Sequence, residues 1–442
     1  MLKPLAVAVA LAVLLRLVLG PGALGYDAGY ALVYGEDLLS PDYDGRYPPT
    51  PHPLANVVGF AASLFGDAAP DLLLALSFVA FASLGVAAFE VGRRSFGVAA
   101  GVAFAAILLT RPLLVVETLQ GSVDVPFLAL VLAALSTHLA AGERPRTVLA
   151  LLALAGLIRP EAWLLSLAYA AYVRRDVALA FAAPVLWALF DLVTTGDPLH
   201  SLTGTQDLAV QLERERGLGS AFDVLPASLE TILEPTVLWA GLAAGVIALV
   251  VAQDRAEPPV AVLLLALLGF LALGVFDLPL LVRYLLVPAA MLGLLCAAGI
   301  AAAAWLPRAT GVVAGVVVAG VVAAGLPATV DEIDDAKRSA AFARDLDRSL
   351  HEVADRAPRD CGPVQVATDR AVPVLAYLLG VDPSEIAVVP PVEQAGLLFA
   401  ARAEVVGTDI DFDRSKPAAD LRLPRGFTRV AESEWWTLGA RC

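Results

Sequence analysis

The feature that most constrains this chain is a series of apolar runs, each about 17–25 residues long and almost free of charge, the length that spans a bilayer core. Within a bilayer every backbone polar group must find its partner inside the chain, so such runs become helices. Apolar residues make up 59% of the 442 residues and charged residues 17%. That leaves too little polar surface for a wholly soluble enzyme, and it excludes a disordered chain, a collagen and a disulfide-dense secreted module. The net charge of −14 argues against a nucleic-acid partner.

The positions of Arg and Lys orient the runs. Lys3 precedes the first, about 4–20. Arg16 interrupts it and no small-residue cleavage site follows, so it reads as a span and not as a removable signal. Residues 21–70 form a long acidic segment outside, with 54–66 as an interfacial helix. Runs at 71–91, 96–116 and 124–141 follow, with Arg93-Arg94 and Glu143–Arg146 inside. Residues 147–158 and 161–173 read as two short helices meeting at Arg159-Pro160-Glu161, because proline disfavours helix at the residue before it. One kinked helix is the alternative, and it would place Arg174-Arg175 outside. The run 177–195 leads to a second external segment, 196–235. Runs at 236–252, 259–276, 280–304 and 309–327 complete eleven passes, with the N-terminus cytoplasmic.

Near residue 330 the composition turns polar, which divides the chain into a membrane domain, 1–330, and a soluble domain, 331–442. The second reads as a charged helix over 331–356, a strand at 364–367, a helix over 371–380 and a strand at 386–389. A helix over 393–402 and strands near 403–407 and 427–438 complete a small extracytoplasmic α/β domain. Cys361 and Cys442 both fall there, on the oxidising side, where a disulfide is expected. Cys296 lies in a span and reads as packing.

Charged residues in or at the rim of a membrane domain are costly to keep, which makes each a candidate for function. Asp27, just past the first run, can take a proton from an acceptor hydroxyl. It can equally be a solvated loop acid or a helix cap. Asp42 and Asp44 have the spacing of a carboxylate pair that holds a divalent cation. Tyr47–Pro53 is stiffened by four prolines and brings His52 near the membrane surface, as a groove wall or as a plain connector. Glu117 and Asp124 flank an outer turn, where Asp124 also suits a helix N-terminus. Arg159 and Glu161 lie between two apolar runs, where a paired Arg and Glu face a cavity. Arg283-Tyr284 opens the 280–304 run. Its guanidinium suits phosphate, or it snorkels to the interface. No P-loop, Gly-rich dinucleotide loop, HExxH or CxxC occurs, so ATP-driven transport, zinc proteolysis and haem chemistry find no support.

Taken in order, these pieces resemble the integral-membrane glycosyltransferases of the GT-C superfamily. The similarity is to prokaryotic members related to the protein O-mannosyltransferases and to mannosyltransferases that use polyprenyl-phosphate mannose. It covers about 1–330 and rests on Asp27-x-x-Tyr30, Tyr47–Pro53, Gly121–Pro126, Ile158–Trp163, Gly196–Leu199 and Arg283-Tyr284. The resemblance implies an all-α polytopic fold and Asp27 as catalytic base. It implies a polyprenyl-phosphate sugar donor entering from the bilayer, and inversion at the anomeric carbon. Tyr30, His52, Asp124, Arg159, Glu161, Arg283 and Tyr284 then line the substrate site. The acceptor is a lipid, a glycan or a protein. The Asp-Glu pair of the protein O-mannosyltransferases is absent, since Ala28 follows Asp27, which weakens the case for a protein acceptor. Residues 331–442 have no assigned counterpart. A transporter or lipid flippase is the rival reading, and a non-enzymatic assembly protein the third. Transporters usually place their charges near the midplane, whereas here the acids gather in one long external loop.

Overall fold

The computed structural model describes residues 2–40, 43, 45–46, 51–140, 142, 144–366, 368–388, 395–401 and 423–442. The apolar runs are helical. Helix α1 (Leu2–Leu19) is followed by two short helices in the external segment, α2 (Tyr26–Glu36) and α3 (Pro53–Ser63), and then by α4 (Ala69–Phe96). The run at 96–116, expected as one pass, is broken: α5 (Val98–Leu109) and α6 (Pro112–Leu119) are bent by 59°. The cause is Pro112, which holds Arg111 in an extended conformation with ψ 123°. Then come α7 (Asp124–His138), α8 (Pro145–Gly156) and α9 (Glu161–Val173), the last two separate helices on either side of Arg159-Pro160. Helices α10 (Val177–Ala180), α11 (Ala182–Thr195) and α12 (His200–Gln211) lead to α13 (Leu218–Val251), which kinks at Glu234 (φ 63°, ψ 150°) before Pro235. Helices α14 (Gln253–Val275), α15 (Leu286–Ile300) and α16 (Arg308–Ala354) complete this part.

Among the described residues, five helices are long and apolar enough to cross a membrane, or six if the bent α5–α6 pair counts as one. The passes expected at 4–20, 124–141, 147–158 and 177–195 fall on shorter apolar helices, so helix lengths give fewer full crossings than the eleven apolar runs. Helix α15 is buried along almost its whole length, and Arg283 and Tyr284, half-buried, stand just before its leading end.

A second correction concerns α16. The sequence separates a span ending at 327 from a charged helix starting at 331, whereas one helix of 47 residues runs through both. Residues 331–354 are polar but rich in helix formers, so nothing stops the helix. Its far end is amphipathic, and Leu346, Leu350 and Val353 enter the core of the distal domain.

The distal domain adds α17 (Val372–Leu379) and the strands β1 (Val364–Val366), β2 (Ile386–Val388), β3 (Gly396–Ala401), β4 (Thr428–Glu432) and β5 (Trp436–Arg441). The sheet order is β2-β1-β3-β5-β4. Strand β1 is parallel to β2 and β3, and β5 is antiparallel to β3 and β4. The helix expected over 393–402 is the central strand β3 instead. Its apolar run, Leu397–Ala401, is buried throughout, as a strand flanked on both edges requires. Gly396 opens it at φ 138°, a conformation closed to other residues, where a side chain would strike Pro363. The strand expected near 403–407 lies outside the described residues. Cys361, before β1, and Cys442, after β5, form a disulfide.

Candidate active site

Five pieces of chain converge on the distal-domain side of the bundle. The first is α2, whose first turn carries Asp27. Its approach is pinned to the turn between α6 and α7: Ala23 N–H donates to the Leu119 carbonyl at 2.9 Å and Gly25 N–H to that of Gln120 at 2.8 Å. That same turn supplies Glu117, which hydrogen-bonds Ser122, and Asp124 at the start of α7. The break between α8 and α9 brings Arg159 and Glu161. His52, just before α3, is tied to that break, since it hydrogen-bonds the backbone of Ile158 and Leu54 N–H donates to the Leu157 carbonyl at 3.2 Å. The residues leading into α15 bring Arg283 and Tyr284.

The charges pair across these pieces. Arg283 Nη1 donates to Asp27 Oδ2 at 2.9 Å, joining residues 256 apart in the chain. Arg159 donates through Nε and Nη2 to Glu161 Oε1 at 3.0 and 2.8 Å, and its Nη1 pairs with Asp124. The Arg159 guanidinium also lies over the Tyr284 ring, 4.8 Å from its centroid, and 5.6 Å from that of Phe127. The two pairs differ in access. Arg159 and Asp124 are 4% and 0% exposed, whereas Arg283 and Asp27 keep 33% and 40%. Asp27 and Arg283 therefore form the open mouth, and Arg159 with its two carboxylates forms the floor.

Burial pushes the Asp27 carboxyl up, but Arg283, His52 and Arg159 outweigh it and hold the group below its usual range. Loss of water drives the His52 imidazole down to about 4, with Arg159 and Arg283 adding to the fall and Asp27 opposing it. At neutral pH Asp27 is thus a carboxylate and His52 a neutral ring. His52 packs edge-on to Trp187, 5.9 Å between centroids, and Trp187 packs likewise on Trp163 at 5.8 Å. His52 Nδ1, Glu161 Oε2 and Arg283 Nε are among the buried polar atoms at the site with no hydrogen-bond partner among the described residues. Groups of this kind await a ligand or water.

Of the candidate residues, Asp27, His52, Asp124, Arg159, Glu161, Arg283 and Tyr284 come together. Tyr30 lies one turn of α2 beyond Asp27. It lies in an aromatic stripe with Tyr26 and Tyr34, at 4.7 and 5.6 Å, and packs against the distal core. Asp42 and Asp44 lie outside the described residues. Among the described residues no three His, Cys, Asp or Glu side chains group as metal ligands. One residue at the site was not singled out in the sequence. Arg214, between α12 and α13, stands within electrostatic reach of Asp27, Arg283 and Tyr284. Its only signal is the charge run Glu213–Arg216 in the second external segment. A small crevice of about 20 Å³, room for about one water, opens beside Glu161 and Tyr284, walled by Phe127, Leu165, Ala266 and Val287 from α7, α9, α14 and α15.

Fold and site together define a class: a multi-pass helical membrane protein with a charged cleft beside a small distal α/β domain. The crystal structure of ArnT from Cupriavidus metallidurans bound to undecaprenyl phosphate shares this fold, with a TM-score of 0.60 and 15% identity over 99% of this chain and 98% of that one. The crystal structure of the same protein in the apo state gives 0.54 at 15% identity, over 99% and 97%. The chain has an ArnT-like fold, in accord with the fold that the sequence resemblance implies. No protein-family model matches the chain, and no curated protein matches it by sequence.

Proposed function

We propose that this chain is a glycosyltransferase that moves a sugar from a polyprenyl-phosphate donor to an acceptor hydroxyl on the outer side of the membrane, where the distal domain also lies. The observation that carries the reading is the Asp27–Arg283 pair, open to the cleft, with Arg283 Nε buried beside it and without a hydrogen-bond partner among the described residues. A donor phosphate needs such a donor atom, and an acceptor hydroxyl needs such a base. The ArnT-like fold and the undecaprenyl phosphate bound in that crystal structure support a lipid-phosphate donor. Arg214 and Arg159 add positive charge near Arg283, where the phosphate would bind.

The acceptor O–H gives its proton to Asp27 as its oxygen bonds the anomeric carbon. The bond from that carbon to the phosphate oxygen breaks, and polyprenyl phosphate leaves with the electron pair. Arg283 then has a second role. In the empty cleft it holds Asp27 as an ion pair, which makes the carboxylate a weak base. A phosphate that competes for Arg283 frees Asp27 and raises its basicity, so donor binding switches the base on. Asp124 and Glu161 fix Arg159 in the floor, where its charge meets the leaving phosphate. Mannose is the sugar the sequence resemblance favours.

The test uses the purified full chain in nanodiscs and proteoliposomes with labelled undecaprenyl phosphates carrying mannose, glucose or galactose. Release of undecaprenyl phosphate from one of them supports the reading. Movement of the intact lipid-linked sugar across the bilayer with no release contradicts it, and makes the chain a flippase.

A further inference from the structure

The distal domain does not hang free of the cleft. It is seated on α2, the helix that carries Asp27. At Gly29, two residues past Asp27, a Cβ would stand 3.0 Å from Pro373 Cβ and 3.2 Å from Pro373 Cγ, so any larger residue would push α17 away by at least a few tenths of an ångström. Val33 of α2 is part of the distal domain's hydrophobic core, and Tyr30 packs against it. Tyr377 of α17 packs beside Leu32, Ala62 and Ala69, and its hydroxyl donates to the Gly66 carbonyl at 2.8 Å. Arg344 of α16 pairs with Asp71 of α4 at 2.8 Å at the same junction.

Helix α2 cannot hold this place by itself. It has 11 residues, includes Gly29 and Gly35, and lacks a side-chain N-cap. Isolated helices below about 12–15 residues are marginal in water, and glycine weakens them further. Its position comes from what it touches: α3 and α4, the α6–α7 turn that pins its approach, and α17 of the distal domain.

We propose that the distal domain is part of the catalytic unit, and that Pro373 and Tyr377 are positioning residues that hold α2 so that Asp27 faces Arg283 across the cleft. This rests on Asp27 acting as the base. It assigns the distal domain an effect on turnover and little effect on donor affinity, because α17 packs on the helix of the base.

The experiment compares Gly29→Leu, which wedges α2 from α17, with Tyr377→Phe, which removes one oxygen and one hydrogen bond. Three quantities are read on the full chain in nanodiscs: kcat with the donor sugar that the wild type consumes, Kd for undecaprenyl phosphate, and amide exchange over 26–36. For Gly29→Leu the expected result is a fall in kcat of about 10–100-fold, the scale of a base displaced by about 1 Å. Kd should stay within about twofold, exchange over 26–36 should quicken, and the Asp27→Asn background should show no further loss. Tyr377→Phe, which needs no refolding of the interface, should show the same pattern at a few-fold. Wild-type kcat and unchanged exchange in either folded variant would overturn the proposal while leaving Asp27 as base. Wild-type turnover by Asp27→Asn alone would instead overturn the reading of the base. If no donor is consumed at all, the exchange rates still decide whether α17 holds α2.

Discussion

At the residue scale, the ion pair sets the pH behaviour. Asp27 is held below its ordinary range and His52 is down to about 4, so both keep their neutral-pH charge states well into acid. In the free enzyme kcat/KM should therefore be flat across neutral and mildly acidic pH and fall only below the usual carboxylate range, as Asp27 takes up its proton. With donor phosphate on Arg283, Asp27 loses its partner, so the acid limb of kcat should lie at higher pH than that of kcat/KM. Coincident limbs would mean that the phosphate does not compete for Arg283. His52 also links pH to stability. Its folded value lies below the ordinary 6.5, so the unfolded chain takes up the proton first. The stability this provides is present above about pH 6.5 and is lost as pH falls from there through about 4. Thermal unfolding scans should show that slope in the wild type and a shallower one in His52→Gln.

The element scale shows why charges are tolerated inside the bundle. Arg111, Arg159 and Glu234 each stand directly before a proline, at a point where a helix breaks. A break frees backbone carbonyls, and a buried cation can satisfy them. Arg111, 2% exposed, donates Nη1 to the Leu233 carbonyl at 2.6 Å and pairs with Glu234 at 3.3 Å, while Thr329 Oγ1 donates to Glu234 Oε1 at 2.6 Å. This staple joins the α5–α6 bend, the α13 kink and α16. Removing one partner leaves the other charge buried, so Arg111→Met should cost about 3–5 kcal/mol, and Arg111→Met with Glu234→Leu should recover most of it. Chemical denaturation in detergent measures both. Of the three breaks, the one at Arg159-Pro160 was legible because two short apolar runs flank it. Those at Arg111 and Glu234 were hidden, because hydropathy averaged over a span hides one charge. A charge before proline within an apolar run was the signal to read. Strand β3 was hidden for a different reason. Its Gly-Leu-Leu-Phe-Ala-Ala run suits a buried helix or a doubly flanked strand equally, and only its partners β1 and β5 decide.

At the scale of the whole molecule, the fold class and most of the charged cleft were legible, and their assembly was not. The order of Asp27, Asp124, Arg159 and Arg283 along the chain says nothing of an ion pair across 256 residues, which depends on how α15 is buried among its neighbours. The docking of the distal domain on α2 was equally hidden, since Gly29 reads as an ordinary helix glycine until Pro373 is seen against it. The Cys361–Cys442 bond closes that domain from before its first strand to the last residue. Cys442→Ser should cost it about 2–5 kcal/mol, seen as a lower melting temperature of the soluble part. The most direct measurement of the central claim is turnover of a polyprenyl-phosphate sugar by purified Asp27→Asn beside the wild type, with undecaprenyl phosphate binding followed in both. Asparagine keeps the size of the side chain but cannot take the acceptor's proton, so the account predicts a loss of about 10²–10⁴-fold in rate with binding retained. Turnover at the wild-type rate by Asp27→Asn would contradict it.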